Sequence, residues 1–554
     1  MMSDLEYESA RKEHAKLELG TTMMSRPLRV TDIIRRAETL FADVEIVSRV
    51  ATGRIERTTY LAVAGEARRL AGALRTLGVL PGQRVATLMW NHASHLTTYY
   101  GVPAIDAVLH PVNVRLSAEE IAYIISQAGD EVMIVDHDLM PLFEEVEKFV
   151  RVPHVIVHHP EAGATVDGKH DWHTLLAAAS PIEAWPSGPF DENRAVSVCY
   201  TSGTSGRPKG VVYSHRSTLL HGFAASATDN FNISGRDTLL PLTPLFHVNG
   251  WSLPYSAAMF GAKLVFSGPH AHGEDVLDLM TSERVTAAFG VPTVWADVLK
   301  AVQANPAQWK LEAGTRIYAG GAAPPIEMIR RFDAMNVYLQ TGWGMTECSP
   351  IGSQTWIKRS YDDRPEDERV AVRTSNGIAL PFVELRHADA AGEVLPWDGV
   401  SRGELQARGP WVTQGYLGFP DMTPATTADG WLQTGDVVTI ASDGYIRLVD
   451  RIKDLVKSGG EWISSADMEQ KLLEISGVSE AAVIGIPDDL WGERPLAVVS
   501  LDDGTDLDQA RILCRLASHY PKWMVPDKVV ILDALPHTSV GKLDKVELRK
   551  QFGK

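Results

Sequence analysis

Apolar residues recur at helical spacing over 30–41, where Ile33, Ile34, Ala37 and Leu40 fall on one stripe. A second helix is predicted over 66–77 and stops at Gly78. The run 84–90 (RVATLMW) is apolar and short, so it reads as a strand buried on both faces. A helix at 95–102, a strand at 107–111, a helix at 117–128 and a strand at 131–136 follow. Ser117, with Glu120 three residues on, forms a capping box that marks the start of the 117–128 helix. Such alternation predicts stacked βαβ units around a mainly parallel sheet.

Further strands are predicted over 195–200, 210–213, 239–243, 263–266, 287–291, 315–321 and 337–339, with a helix over 295–304. From about residue 378 the pattern changes to short alternating segments with glycine turns (383–387, 403–408, 437–441, 444–449), which predicts a compact β-rich unit. The charged run Asp450-Arg-Ile-Lys-Asp454 precedes a small α+β segment with helices over 465–475 and 508–518 and strands over 480–485 and 496–501. Its size, about 100 residues, suits a separate domain. The expected fold is α/β. Residues 1–22 are a flexible extension or an ordinary first helix, 23–449 a large N-terminal domain, 450–453 a hinge and 454–554 a C-terminal domain.

The chain has 554 residues, 45% of them hydrophobic, enough for several cores. A net charge of −17 argues against nucleic acid or an anionic membrane as an obligate partner. The three cysteines, Cys199, Cys348 and Cys514, have no metal-ligand spacing, which excludes a zinc site or a disulfide framework and fits a reducing cytoplasm. Nothing resembles a membrane span, and residues 1–22 lack the apolar segment of a secretory signal.

The stretch that carries chemistry is Tyr200-Thr-Ser-Gly-Thr-Ser-Gly-Arg-Pro-Lys-Gly-Val211. Glycines allow close backbone approach to a ligand, and consecutive N–H groups in such a loop make an anion-binding concavity. Thr201, Ser202, Thr204 and Ser205 add hydroxyl donors around Gly203 and Gly206, and Lys209 adds a cation. The loop suits a polyphosphate. A flexible Ser/Gly linker is the plain alternative, but linkers do not usually interrupt two apolar strands. It is not a Walker A loop, because Gly210 stands where that motif needs Ser or Thr for magnesium.

Four more motifs follow in order: Trp343-Gly-Met-Thr-Glu347, Leu432-Gln-Thr-Gly-Asp436, Asp450-Arg-Ile-Lys-Asp454 and Leu535-Pro-His-Thr-Ser-Val-Gly-Lys542. Together with the 200–211 loop they resemble the adenylate-forming superfamily of acyl-CoA synthetases, adenylation domains and luciferases, from about residue 30 to the end. Phe246-His-Val-Asn-Gly-Trp251 and Lys457-Ser-Gly-Gly-Glu-Trp-Ile-Ser464 look most like the medium- and long-chain fatty acyl-CoA synthetases. The resemblance implies two αβ-layered sheets plus a β-barrel, with a mobile C-terminal lid. It also implies two half-reactions: a carboxylate and ATP give acyl-AMP and pyrophosphate, and CoA then takes the acyl group. The cofactors implied are ATP, Mg2+ and CoA, and the assembly implied is a homodimer.

The same resemblance implies the site. Glu347 and Thr201 would hold Mg2+. Trp343 would stack on adenine, where most of the family has Tyr. Gly320, Gly321, Ala322 and the segment Gln340, Thr341, Gly342, Gly344, Met345 and Thr346 would line the nucleotide slot. Asp436 would accept from the ribose hydroxyls, with Arg451 near ribose or phosphate and Lys453 at the hinge. Lys542 would be the adenylation cation. His247 would lie near the acyl carboxylate. Trp251 would gate an acyl tunnel running past Val291, Gly321 and Gly344, and Gly459, Gly460, Glu461 and Trp462 would edge the pantetheine channel. Surface charges, Asx turns and core aromatics are the plain readings of the same residues. The other activities in view are a CoA ligase for an aryl or short thioether acid such as 3-methylthiopropionate, and an enzyme that loads a carrier protein in trans. A non-catalytic binder would be expected to lack Glu347 or Lys542.

Overall fold

The computed structural model describes residues 21–159, 168–201, 207–418, 422–459, 461–502, 504–538 and 543–553. Two large sheets form the body. One has seven strands in the spatial order His170–Asp171, His154–His158, Asp130–Asp136, Arg84–Leu88, Val108–Pro111, Ala195–Tyr200 and Gly210–Ser214. Every neighbour pair in it is parallel except the last, which is a hairpin. The other has nine strands. Its parallel centre runs from Val337–Gly344 through Thr315–Ala319, Ala287–Gly290, Thr238–Pro241 and Lys263–Phe266 to Glu45–Arg49, with antiparallel strands at both edges.

The helices follow the apolar stripe and its caps. Thr31–Leu40 buries Ile33, Ile34 and Ala37, while Leu40 turns out to solvent. The predicted 66–77 helix begins earlier, at Tyr60, because the Thr59 side chain accepts the Ala62 N–H and starts the helix there. Ala118–Ala128 has its capping box, with Glu120 N–H donating to Ser117 Oγ at 3.3 Å and Ser117 N–H to Glu120 Oε2 at 3.1 Å. The predicted strand 337–339 continues to Gly344, because Gly342 and Trp343 pair with Gln354 and Ser353. The Gly-rich segment is therefore the end of a strand rather than a loop.

The β-rich unit is an open antiparallel sheet, Glu384–Ala388, Gly403–Arg408, Leu432–Ile440 and Ile446–Arg451, beside the two-stranded ladder Gly415–Tyr416/Thr423–Pro424. The expected barrel does not close among the described residues. Glu384–Ala388 and Ile446–Arg451 are the two outer strands and do not pair with each other. Beyond it, Val456–Ser458, Glu461–Ile463, Val478–Asp488, Gly492–Leu501 and Lys528–Ile531 make a five-stranded sheet. Its two apolar cores draw only on residues from Val456 onward, whereas the main-body cores stop at Leu448. Among the described residues, no helix is long and apolar enough to cross a membrane.

Candidate active site

A cavity of about 220 Å³ opens at the C-terminal ends of Ala287–Gly290, Thr315–Ala319 and Val337–Gly344. Parallel α/β sheets commonly present ligand sites at this end. Its wall combines the residues just past those strands, Val291, Gly320 and Gly344, with Thr201, His247 and Trp251 from other elements.

The 201–209 hairpin is closed at its neck. Thr201 N–H donates to Lys209 O at 2.9 Å, and Lys209 N–H donates to Thr201 Oγ1 at 3.1 Å. Gly210 sits in a tight space: a Cβ there would lie 3.1 Å from Tyr200 Cζ and 3.2 Å from Leu417 Cβ, so both side chains would have to give by a few tenths of an ångström. Ser202, Gly203, Thr204, Ser205 and Gly206 lie outside the described residues, as do Gly460 and Lys542.

Tyr416 is a residue that sequence reasoning missed. Its hydroxyl donates to Glu347 Oε1 at 2.7 Å, and Lys209 Nζ sits 4.6 Å from its ring centroid. Burial, with the Glu347 charge beside it, pushes the Tyr416 hydroxyl well above its usual pKa, so it stays a neutral donor. Glu347 itself is 6% exposed. No spacing in the sequence links residue 416 to either partner. The contact arises because Leu417 N–H bonds Gly210 O at 2.7 Å and ties the small ladder to the loop.

Trp343 also lines the cavity; it is buried, and its Nε1–H donates to Asp436 Oδ2 at 2.7 Å. The ring lies flat against Gly352, where a Cβ would fall 2.3 Å from it. Asp436 Oδ1 is 2.8 Å from Arg451 Nε, within ion-pair distance, yet it receives no aligned N–H. The guanidinium therefore supplies charge, while the oxygen keeps capacity to accept from another donor.

Trp251 is held by an unusual backbone. Val248, Asn249, Gly250, Trp251 and Ser252 all have positive φ, between 41° and 63°. Four of them carry a Cβ, at roughly 1–2 kcal/mol each for left-handed conformation. The surroundings hold the segment in place: Asn249 Nδ2 donates to Ser197 Oγ at 2.5 Å, and His221 is 2.7 Å from Ser252 Oγ. His221 Nε2 accepts the Ile351 N–H at 3.2 Å, so its proton sits on Nδ1 and points to Ser252. Burial lowers its pKa to about 3, so the ring is neutral. Trp251 lies against Gly320, where a Cβ would come within 2.4 Å of the indole.

Gly321, Gly342, Met345 and Thr346 also line the cavity, whereas Gln340, Thr341, Ala322, Lys453, Gly459, Glu461 and Trp462 lie outside its wall. Gln340 Nε2 donates to Thr355 O at 3.1 Å, and Thr341 is buried in the same strand. Ala322 follows Gly321 without reaching the cavity. Lys453 is exposed, though partial desolvation of its ammonium lowers its pKa. Gly459 donates its N–H to Trp491 O at 2.8 Å, and the ring of half-exposed Trp462 carries Lys457 Nζ at 4.5 Å. Glu461 and Trp462 lie on the edge hairpin of the C-terminal sheet.

Residues 35–417 match the model of the AMP-binding enzyme family, and 467–542 match that of the AMP-binding enzyme C-terminal domain. The chain is 42% identical over 535 residues to a long-chain-fatty-acid–CoA ligase of Thermus thermophilus, covering 96% of this chain and 97% of that one. It is 40% identical over 535 residues to a 3-methylmercaptopropionyl-CoA ligase of Ruegeria lacuscaerulensis, covering 96% and 98%. Among solved structures it is similar to ATP-bound MatB from Rhodopseudomonas palustris, with a TM-score of 0.79, 26% identity, and coverage of 95% of this chain and 99% of that chain.

Proposed function

The chain belongs to the AMP-binding enzyme family and is an AMP-forming acyl-CoA synthetase, and on that premise we propose that it activates a medium- or long-chain fatty acid. A carboxylate oxygen attacks the α-phosphorus of ATP, the bond to pyrophosphate breaks, and acyl-AMP forms. The CoA sulfur then attacks the acyl carbon, AMP leaves with the electron pair, and the thiol proton passes to solvent. The observation that carries the reading is a cavity lined both by polar and charged groups, Thr201, Lys209 and Glu347, and by apolar ones, Phe231, Trp251 and Val291.

The chain's residues divide the work accordingly. Lys209 and the loop hold the departing pyrophosphate. Trp343 offers an aromatic face to adenine, and Gly320 and Gly321, with Ala322 behind them, let the ring approach the backbone. Asp436 Oδ1 takes a ribose hydroxyl, with Arg451 supplying charge beside it. Glu347 and Thr201 fit Mg2+, a hard cation that takes one or two carboxylates along with phosphate and water oxygens. Bound there, Mg2+ would neutralise phosphate charge. Lys542 supplies the cation for adenylation, residues 450–453 act as a hinge, and 454–554 act as the lid. Gly459, Gly460, Glu461 and Trp462 border the pantetheine channel in the second half-reaction. Asp450 is suited to the hinge, because its Oδ2 accepts from Ser465 N–H at 2.6 Å and from the Ser465 hydroxyl at 2.7 Å, across the boundary. A cytoplasmic location fits three unpaired thiols, and a homodimer is the assembly that the family resemblance implies.

A short thioether acid is the second reading, and one observation favours it. With Trp251 against Gly320 the cavity is compact, so a small acid fits without moving the indole whereas a long chain must displace it. The two readings separate on kcat/KM for straight-chain acids. Four methylenes at ~0.8 kcal/mol each allow about a two-hundred-fold gain from butyrate to octanoate. Displacing Trp251 consumes part of it, so a rise of about tenfold or more is expected. A flat or falling series, with 3-methylthiopropionate the best substrate, would establish the second reading instead.

A further inference from the structure

Beside the root of the phosphate loop lies a polar group that the proposed mechanism does not use. His110 Nδ1 is 2.9 Å from Asp130 Oδ2, and both side chains are fully buried. An ionised carboxylate can only accept, so Nδ1 carries a proton and, among the described residues, Nε2 is the ring nitrogen left without a partner. Among the described residues, His110 Nε2, Asp130 Oδ1 and the Tyr200 hydroxyl are all buried with no hydrogen-bond partner. The His110 and Tyr200 ring centroids are 5.1 Å apart. Both residues line a second cavity of about 10 Å³, whose wall also includes Thr201 and His247. Those two residues line the main cavity as well, so the two spaces share a wall. The rest of the small cavity is mostly apolar, with Val112 and Phe246 among its lining.

Buried polar atoms in folded proteins are almost always bonded, and each one left unbonded costs about 1–3 kcal/mol. A space near 10–15 Å³ is what a single water needs, provided two or more polar groups face it. Burial lifts the Tyr200 hydroxyl above its usual pKa, so it remains a neutral donor. It can donate to a water that in turn donates to His110 Nε2.

Tyr200 is well placed for such a bridge to matter. It ends the strand Ala195–Tyr200, immediately precedes Thr201, and pairs across the hairpin with Gly210. Its ring fills the space beside Gly210, so it braces both ends of the 201–209 loop.

We propose that Tyr200 and the Asp130-oriented His110 hold one water in this cavity, and that the bridge positions the root of the loop, and with it Thr201 and His247, for the nucleotide. These are positioning residues, and the inference rests on the reading of the loop as the nucleotide clamp. The test compares Tyr200→Phe, His110→Gln and His110→Asn in the full chain, by ATP–pyrophosphate exchange and thermal unfolding. Loss of one buried hydrogen bond, about 1 kcal/mol, corresponds to about a five-fold rise in KM for ATP. Tyr200→Phe is expected to show that rise with kcat within about two-fold and no gain in Tm. His110→Gln, which keeps an acceptor at the Nε2 position, should stay closer to wild type than His110→Asn. An unchanged KM for ATP, or a higher Tm in Tyr200→Phe as expected from deleting an unbonded hydroxyl, would overturn the proposal. Absence of exchange in the wild-type enzyme would instead sink the adenylation reading, and the Tm comparison would then decide the water by itself.

Discussion

Lys542→Ala is expected to lower acyl-adenylate formation by about a thousand-fold while leaving thioester formation from supplied acyl-AMP within a few-fold of wild type. The reason is where negative charge accumulates. In the first half-reaction the attacking carboxylate and the α-phosphate, both anionic, must approach each other, and a preorganised cation between them lowers that barrier. In the second, a thiol attacks the acyl carbon and the new charge develops on the departing AMP, so the step does not begin by bringing two anions together. Lys542 lies outside the described residues, but both flanks of its segment are fixed. His537 pairs with Leu543 in an antiparallel bridge, Asp544 N–H bonds Pro536 O at 2.8 Å, and Leu535 is buried in a C-terminal core. Pyrophosphate exchange and CoA consumption, measured separately, check the expectation. Equal loss of both half-reactions would place Lys542 in the fold rather than in the chemistry.

Glu347→Gln is expected to slow adenylation by about a hundred-fold without unfolding the protein. The amide keeps an oxygen that accepts the Tyr416 hydroxyl, so the 2.7 Å bond and the packing around it survive. What disappears is one negative charge in a water-poor site, where electrostatic contributions are large. If Glu347 and Thr201 hold Mg2+, the variant should also need a higher Mg2+ concentration for half-maximal rate. Steady-state pyrophosphate release titrated with Mg2+, beside a thermal melt, measures both. Wild-type rates in the variant would assign Glu347 a structural role alone.

Much of this arrangement could be read from the sequence, for identifiable reasons. The Ser117–Glu120 box and the apolar runs at 84–90 and 131–136 are local signals, and local physics decided them. The loop at 201–209 announced itself through glycine and hydroxyl density between two apolar runs, whereas the antiparallel pairing of those runs appears only in the structure. Gly210 looked like a departure from the Walker pattern. The structure adds a packing reason: Tyr200 and Leu417 would have to shift to admit a Cβ.

Other features had no local signal. Gln340 to Gly344 reads as a glycine turn, but pairing of Gln340 and Thr341 with Tyr318 and Ala319, and of Gly342 to Gly344 with Ile351–Gln354, makes it strand. The β-rich unit has the right alternation for a barrel, yet closure depends on its outer strands meeting, which alternation does not encode. Tyr416, His221 and the Asp130–His110 pair reach their partners only through folding. The left-handed run at Val248–Ser252 has one glycine among five residues, so nothing in the composition suggests its backbone. The strained turn sets Trp251 against Gly320 in the cavity wall, which on the proposed reading limits the room for an acyl chain.

The account stands most directly on product stoichiometry in the wild-type enzyme with octanoate, ATP and Mg2+. With CoA present, pyrophosphate, AMP and octanoyl-CoA should appear in equal amounts. With CoA omitted, release should stop at about one pyrophosphate per site, because acyl-AMP stays bound. Continued pyrophosphate release without thioester, or ADP and inorganic phosphate in place of AMP and pyrophosphate, would contradict it.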